Sequence, residues 1–169
     1  MSAATETDVT TTQVYRVYIK ATPQRIWDTI TDPQWTERFG YGGRSVYELR
    51  PGGTYTAYTS QAMREQGAPE IAIVGEVLES DPPRRLVQTW QMVMDPAMEA
   101  QGATRLTYEI DELSDGISRL TVVHDLTGAP MLAGLMRGDM ESQGAGGGWN
   151  WVLSTLKTLL ETGEELGAR

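Results

Sequence analysis

The sequence predicts an α+β fold in which a curved antiparallel sheet is covered by one long C-terminal helix. Two observations carry this prediction. In residues 146–161, apolar side chains recur at spacings of three and four, which places them on one face of a helix. In residues 44–126, short β-rich runs alternate with tight turns. A sheet with one apolar face needs a cover, and this helix is the only long periodic stretch in the sequence.

The N-terminal part is predicted to contain one strand and two short helices. Residues 13–20, QVYRVYIK, are rich in Val, Ile and Tyr, which favours a strand. Thr22 and Asp32 are good N-cap residues, and each is followed by a proline that fits the first helical position. Two helices should therefore begin there, one after the other.

Six further strands are predicted, paired as three antiparallel hairpins. The turn sequences PGG, DPP and SDG separate the two strands of each hairpin, and short connections imply antiparallel neighbours. Residues 61–69 and 95–103 are predicted to be polar loops between the hairpins. The predicted strands are 44–50, 54–60, 70–80, 84–94, 104–113 and 117–126.

The glycine-rich stretch 127–148 is predicted to be a mobile flap that leads into the last helix. One apolar helical turn could form near Leu135 and Met136, but the end of the stretch is too rich in glycine to hold structure alone. The flap glycines are Gly144, Gly146, Gly147 and Gly148. We expect a single domain over residues 13–163, with a disordered tail at 1–12 and a short tail at 164–169.

Composition excludes several classes of function. A formal charge of −9 argues against partners with a nucleic-acid backbone or an anionic membrane surface. With no cysteine and one histidine, we expect no metal site, and no cofactor is indicated. No apolar run reaches the ~20 residues of a membrane span. The first residues lack the features of a signal peptide, so a cytoplasmic protein is expected.

Five stretches, taken in order, resemble one superfamily. They are ATPQRIWDTITDPQW, RPGGTY, GEVLESDPPRRLVQTW, SRLTVVHDL and GGGWNWVLSTLKTLLE. They resemble the START-like superfamily, also called SRPBCC, Bet v 1-like or polyketide cyclase, which has the helix-grip fold, and its most similar branch is the activator of heat-shock protein 90 ATPase homologues. The resemblance implies a curved sheet wrapped around the last helix, an internal cavity and no shared catalytic triad. Co-chaperone members carry a separate docking domain for which we expect no room here.

Candidate cavity residues are large apolar or aromatic side chains on several elements. The resemblance places Trp35, Phe39 and Tyr41 at the cavity mouth, although they could equally form a separate hydrophobic cluster. Strand positions alternate between the two faces of a sheet, so the sequence does not decide which strand residues face the cavity. Leu156 is at the centre of the apolar face of the last helix and is expected at the centre of the cavity. The remaining candidates are Tyr55, Trp90, Met92, Tyr108, Leu135, Met136, Trp149, Val152 and Leu153.

His124 invites a catalytic interpretation, but the strand pattern argues against it. Adjacent strand residues face opposite sides, so Asp125 cannot orient His124. Ser118 shares the face of His124 but lies roughly 20 Å away along the strand, and a nucleophile needs its base within hydrogen-bond reach. We expect a structural histidine or a polar group of the cavity, and we assign no catalytic residue.

The sequence favours a non-catalytic protein that binds a small hydrophobic or aromatic molecule. One alternative is an enzyme similar to polyketide aromatase/cyclases or hydrolases. Another is a self-sacrifice resistance protein that an enediyne cleaves at a flap glycine, and a third is an interaction module similar to the co-chaperones of heat-shock protein 90. The sequence leaves the identity of the ligand and the oligomeric state open.

Overall fold

Seven strands form one antiparallel sheet in the computed structural model, which describes residues 11–167. They are β1 (Thr12–Ile19), β2 (Ser45–Tyr47), β3 (Thr54–Tyr58), β4 (Ile71–Asp81), β5 (Arg85–Met92), β6 (Thr104–Glu112) and β7 (Ser118–Asp125). Their order in the sheet is β1-β7-β6-β5-β4-β3-β2, so β1 and β2 are the two edges. Every hairpin partner predicted from the sequence is an antiparallel neighbour.

Six α-helices and one short 3₁₀ helix complete the described part of the chain. The α-helices are α1 (Pro23–Thr31), α2 (Pro33–Thr36), α3 (Gln61–Glu65), α4 (Pro96–Glu99), α5 (Pro130–Arg137) and α6 (Trp149–Thr162), and the 3₁₀ helix is Glu141–Gln143. The predicted α+β helix-grip fold, a curved antiparallel sheet with a long C-terminal helix, is confirmed. Of the predicted tails, residues 1–10 and 168–169 lie outside the described residues, and Thr12 pairs with Asp125 in the sheet.

The two predicted helix starts are present with the expected caps. The Thr22 hydroxyl accepts a hydrogen bond from the amide of Arg25 at 3.1 Å. One carboxylate oxygen of Asp32 accepts from the amide of Gln34 at 2.9 Å. Each bond satisfies an amide that has no partner within its own helix, which explains why α1 and α2 begin at these positions.

Residues 61–69 and 95–103 were predicted to be loops, but the first part of each forms a short helix, α3 and α4 respectively. Ser60 caps α3 by accepting from the amide of Met63 at 3.2 Å. Asp95 caps α4 by accepting from the amide of Ala97 at 2.9 Å, and Pro96 follows it at the first helical position. The cap chemistry is therefore the same as at the start of α1 and α2.

The glycine-rich stretch is more regular than expected. It contains α5, which ends at Gly138 in a left-handed conformation, and then the 3₁₀ turn. The apolar helical turn expected near Leu135 and Met136 is thus present as α5, residues 144–148 are in no helix or strand, and the mobility of the stretch stays a prediction. Between α5 and α6, the amides that donate backbone hydrogen bonds are those of Gly138, Asp139, Glu141, Gln143, Gly144 and Ala145.

The main core lies between the concave face of the sheet and the two helices α1 and α6. Leu153, Leu156 and Leu159 of α6 are buried. Ile26 and Trp27 of α1 belong to the same cluster as Leu153 and Leu156. α1 contacts β6, and α6 contacts β1, so both helices pack directly against the sheet.

Candidate functional site

A pocket of about 230 Å³ lies beside the first turn of α6. Its walls come from the concave face of the sheet, the loop that follows α2, and the segment that joins α5 to α6. Among the described residues that line it, none carries the charged or titratable side chain of Asp, Glu, Lys, Arg or His. The lining is apolar or aromatic, with polar atoms contributed by Ser, Thr, Tyr and the backbone.

Most of the side chains predicted to face a cavity line this pocket, although their role in binding stays a prediction. They reach it from the loop after α2, from three strands, from α5 and from the start of α6. They are Phe39, Tyr41, Tyr55, Trp90, Met92, Tyr108, Leu135, Met136, Trp149 and Val152.

Four predicted residues do not line the pocket. Trp35 is half-buried outside it, with the guanidinium groups of Arg25 and Arg38 at 4.9 and 5.4 Å from its ring centroid. Leu153 and Leu156 are buried in the core cluster, which also contains Ile26 and Trp27 of α1, so the predicted cavity does not extend to the middle of α6. The fourth residue is His124.

His124 is fully buried and takes part in a chain of hydrogen bonds that joins the sheet to α6. The indole N–H of Trp149 donates to Nδ1 of His124 at 3.1 Å. Nδ1 is thus an acceptor, so the ring proton is assigned to Nε2, which lies 2.9 Å from the hydroxyl oxygen of Thr104. That hydroxyl donates in turn to the backbone carbonyl oxygen of Trp90 at 2.6 Å. The chain of bonds holds Trp149 in its place at the pocket wall.

Burial lowers the pKa of His124 to about 3, against a weaker opposing effect of Asp125. The imidazole is therefore neutral near pH 7. Its Nδ1 already accepts the indole N–H, so it cannot accept a proton from a substrate while this bond persists. The geometry gives His124 a positioning role behind Trp149 and not a place in the pocket lining.

Five tyrosines line the pocket, and burial changes the acidity of three of them, Tyr47, Tyr55 and Tyr108. The rings of Tyr47 and Tyr55 are 4.6 Å apart, and the Tyr47 hydroxyl donates to the buried Gln88 side chain at 2.7 Å. Burial raises the pKa of Tyr55 to about 12, although hydrogen bonding with Ser45, Trp90 and Tyr47 acts against it. Burial also raises the pKa values of Tyr47 and Tyr108 well above the usual range.

Residues 20–161 match the model of one protein family, Activator of Hsp90 ATPase homolog 1-like protein. The chain belongs to this family. The match covers most of the chain and confirms the resemblance that the five sequence stretches indicated. Among curated proteins, none has a sequence significantly similar to this chain.

Solved structures share the fold of this family member at low sequence identity. CalU16 from Micromonospora echinospora is 22% identical with a TM-score of 0.60, over 88% of this chain and 73% of that one. PFC0360w, an HSP90 activator from Plasmodium falciparum, is 18% identical with a TM-score of 0.52, over 68% and 71%. DynU16, a putative protein of the dynemicin biosynthetic locus, is 19% identical with a TM-score of 0.62, over 91% of this chain and 48% of that one.

In this member of the Activator of Hsp90 ATPase homolog 1-like family, hydrogen bonds fasten the pocket rim. The amide of Gly148 donates to the Tyr41 hydroxyl at 2.9 Å. The indole N–H of Trp151 donates to the carbonyl oxygen of Gly40 at 2.8 Å. The amide of Gly40 donates to the Thr155 hydroxyl at 2.7 Å. The loop after α2 is thus tied to both the start and the middle of α6.

The predicted flap glycines have different surroundings. Gly148 lines the pocket at φ +66°, and a Cβ there would lie 2.3 Å from the carbonyl oxygen of Met136, so only glycine fits. Gly146 and Gly147 are buried outside the lining. Gly144 is exposed, and a Cβ there would meet no atom within 4 Å.

Sequence reasoning missed several lining residues. Tyr47 was inside a predicted strand, and its alternation with Ser45, which also lines the pocket, was the available signal. Met63 is on α3, which was predicted to be a loop, so no face could be assigned to it. Ile73 and Met94 also line the pocket. Ile73 on β4 pairs with Met92, the last residue of β5, and Met94 follows two residues later.

Two further classes of site can be assessed within residues 11–167. No three side chains of His, Cys, Asp or Glu come together there in a way that could hold a metal ion. Over the same residues, no helix combines the length and the apolar character needed to cross a membrane.

Proposed function

We propose that the protein binds a small apolar or aromatic molecule in the pocket beside the start of α6 and releases it unchanged. The observation that carries this proposal is the lining, which is apolar and aromatic with a few hydroxyl groups. Such a combination is typical of small-molecule sites. A volume of about 230 Å³ is near the small end of ligand pockets, which span roughly 300–1,000 Å³. The ligand should therefore be no larger than about two or three fused rings.

The chemistry of the lining supports binding without turnover. General acid–base catalysis needs a group whose pKa lies near the working pH and which reaches the reacting atom. Among the described residues, the lining offers tyrosine hydroxyls and no carboxylate or amine, and burial raises the pKa values of Tyr47, Tyr55 and Tyr108 further from neutrality. His124 lies behind Trp149 and is already hydrogen-bonded on both ring nitrogens.

The alternative functions have less support from the geometry. A self-sacrifice protein needs a glycine Cα next to the bound compound, and of the four predicted flap glycines only Gly148 lines the pocket. The similarity to PFC0360w, described as an HSP90 activator, is 18% in sequence and extends to the fold alone. An enzyme would have to work with tyrosine hydroxyls as its only titratable groups in the lining.

The proposal can be tested with 1-aminoanthracene, an uncharged fluorescent three-ring compound, by titration and native mass spectrometry. We expect saturation at one equivalent and recovery of the unchanged compound. Ala57 and Thr56 are neighbours on opposite faces of β3, and Ala57 lines the pocket. Ala57→Phe should abolish binding, while Thr56→Phe should leave it intact. Absence of binding to the wild-type protein would refute the proposal, and recovery of a chemically altered compound would favour an enzyme.

A further inference from the structure

The polar part of the pocket also indicates what kind of apolar molecule it selects. We propose that the pocket selects an uncharged aromatic compound with a carbonyl oxygen, and that the Tyr108 hydroxyl donates a hydrogen bond to that oxygen. This inference rests on the proposed function, because it names the class of ligand for the same site.

The absence of charged side chains from the described lining argues against an ionic ligand. A buried ion without a partner loses several kcal/mol of hydration that nothing in an apolar pocket replaces. Two guanidinium groups lie beside the lining: that of Arg44 stacks at 4.9 Å over the ring of Tyr58, and that of Arg64 donates to the carbonyl oxygen of Thr59. Tyr58 lines the pocket, whereas Arg44 is exposed and outside the lining. An anionic ligand would therefore have to leave its charge outside.

Of the five tyrosines in the lining, Tyr47, Tyr55 and Tyr108 have hydroxyl groups that differ in their hydrogen bonding within the protein. Tyr47 donates its proton to Gln88. Hydrogen bonding of the Tyr55 hydroxyl with Ser45, Trp90 and Tyr47 lowers its pKa against the rise that burial causes. For Tyr108, by contrast, the described part of the chain shows no hydrogen-bond partner, and only burial and the charge of Tyr55 affect its pKa.

A hydroxyl group that is removed from bulk water and has no partner carries a free-energy penalty, which a ligand atom can relieve. The raised pKa of Tyr108 keeps its proton in place, so the group is available as a donor and not as an anion. Its ring packs edge-on against Trp149 with centroids 6.1 Å apart, and His124 holds Trp149. The donor is therefore fixed in position before any ligand arrives.

Aromatic rings in the lining indicate the body of the ligand. Phe39, Tyr55, Trp90 and Trp149 all line the pocket. Aromatic pairs that stack with an offset or meet edge to face gain free energy beyond their buried area. An aromatic ligand with a carbonyl group would use these rings for its body and Tyr108 for its oxygen.

Three naphthalenes of nearly the same shape separate these requirements: 2-acetonaphthone, 2-ethylnaphthalene and 2-naphthoate. The first has a carbonyl acceptor, the second has none, and the third is an anion. Their dissociation constants would be measured by isothermal titration calorimetry for the wild-type protein, for Tyr108→Phe and for Tyr18→Phe. Tyr18 is exposed on β1 outside the pocket and controls for the loss of a tyrosine hydroxyl.

We expect Tyr108→Phe to weaken 2-acetonaphthone relative to 2-ethylnaphthalene by about three- to tenfold, the loss expected for one neutral hydrogen bond. Tyr18→Phe should leave this ratio unchanged. We expect 2-naphthoate to bind the wild-type protein on the order of 100-fold more weakly than 2-acetonaphthone, because its charge lacks a partner.

An unchanged ratio in Tyr108→Phe, or wild-type binding of 2-naphthoate as tight as that of 2-acetonaphthone, would overturn the inference. In both cases the compounds would still bind, so the proposed function would survive. Failure of all three compounds and of 1-aminoanthracene to bind the wild-type protein would instead refute the proposed function, and the inference would fall with it.

Discussion

The same helix, α6, covers two halves of the concave sheet face that differ in how they are filled. Leu156 is buried in the core cluster, which also contains Ile26 and Trp27 of α1, and it does not line the pocket. Around Trp149 and Val152, the space is left as a pocket. The packing of the sheet against α6 therefore does not by itself leave a cavity along the whole helix.

The two halves also differ in side-chain chemistry. The filled half is largely aliphatic, apart from Trp27, and its buried leucines have no polar atoms to satisfy. The hollow half combines aromatic rings, hydroxyl groups and methionines such as Met63 and Met94, whose flexible side chains adapt to irregular shapes. The binding role that we propose therefore belongs to the first turn of α6 and not to its middle.

The largest contrast is expected from truncating one side chain in each half. Leu156→Ala should lower the free energy of unfolding by about 2–5 kcal/mol, because it opens a cavity in a filled core. Val152→Ala should cost about 1 kcal/mol or less, since Val152 already borders empty space and is half-buried. Chemical denaturation of both variants measures the difference, and equal losses would mean that the two halves are packed alike.

The rim of the hollow half offers a second contrast between two glycines with positive φ. Gly148→Ala should cost at least about 2 kcal/mol, because the new Cβ would overlap the carbonyl oxygen of Met136 in a left-handed backbone. Gly144→Ala should cost only the backbone term of about 1–2 kcal/mol, as nothing lies near it. Thermal unfolding ranks the variants, and the opposite ranking would show that the rim is not packed as described.

The stability of the protein should depend on pH through His124, the buried side chain that holds Trp149. Its pKa is about 3 in the folded protein and near 6.5 when exposed, so on acidification the unfolded chain binds the proton first and stability falls between these values. From pH 7 to pH 5 the wild-type protein should lose about 2 kcal/mol more than His124→Gln. Parallel loss in both proteins would place the pKa of His124 near its ordinary value.

Much of the fold follows from local signals in the sequence. The caps at Thr22 and Asp32, the hairpin turns and the apolar face of the last helix each depend on residues close in sequence. The short helix α4 could have been predicted by the same rule, since Asp95 and Pro96 repeat the cap signal of Asp32 and Pro33. The sequence therefore contained the signal for α4, but the signal was not used in the prediction.

The site was less predictable because it depends on contacts between residues far apart in sequence. Thr104, His124 and Trp149 meet through hydrogen bonds across β6, β7 and α6, and their spacing gives no sign of this. Leu156 has the spacing expected of a cavity residue, yet it is buried in the core cluster and does not line the pocket. Periodicity identifies which face of a helix is buried, but it does not distinguish packing against side chains from packing against an empty space.

The most direct test of a pocket beside the first turn of α6 is to fill it. Val152→Trp places an indole beside the pocket, whereas Leu156→Trp, one turn further on, forces one into a filled core. Val46→Trp is the control, because Val46 is exposed on β2 and does not line the pocket. The measurement combines a denaturation midpoint with a 1-aminoanthracene titration for all three variants.

We expect Val152→Trp to lose dye binding with little change in stability. Leu156→Trp should lose about 1–3 kcal/mol or more through overpacking, and Val46→Trp should match the wild-type protein. A Val152→Trp variant that is folded and binds the dye with wild-type affinity, or one destabilised as much as Leu156→Trp, would contradict a ligand pocket at this end of the helix.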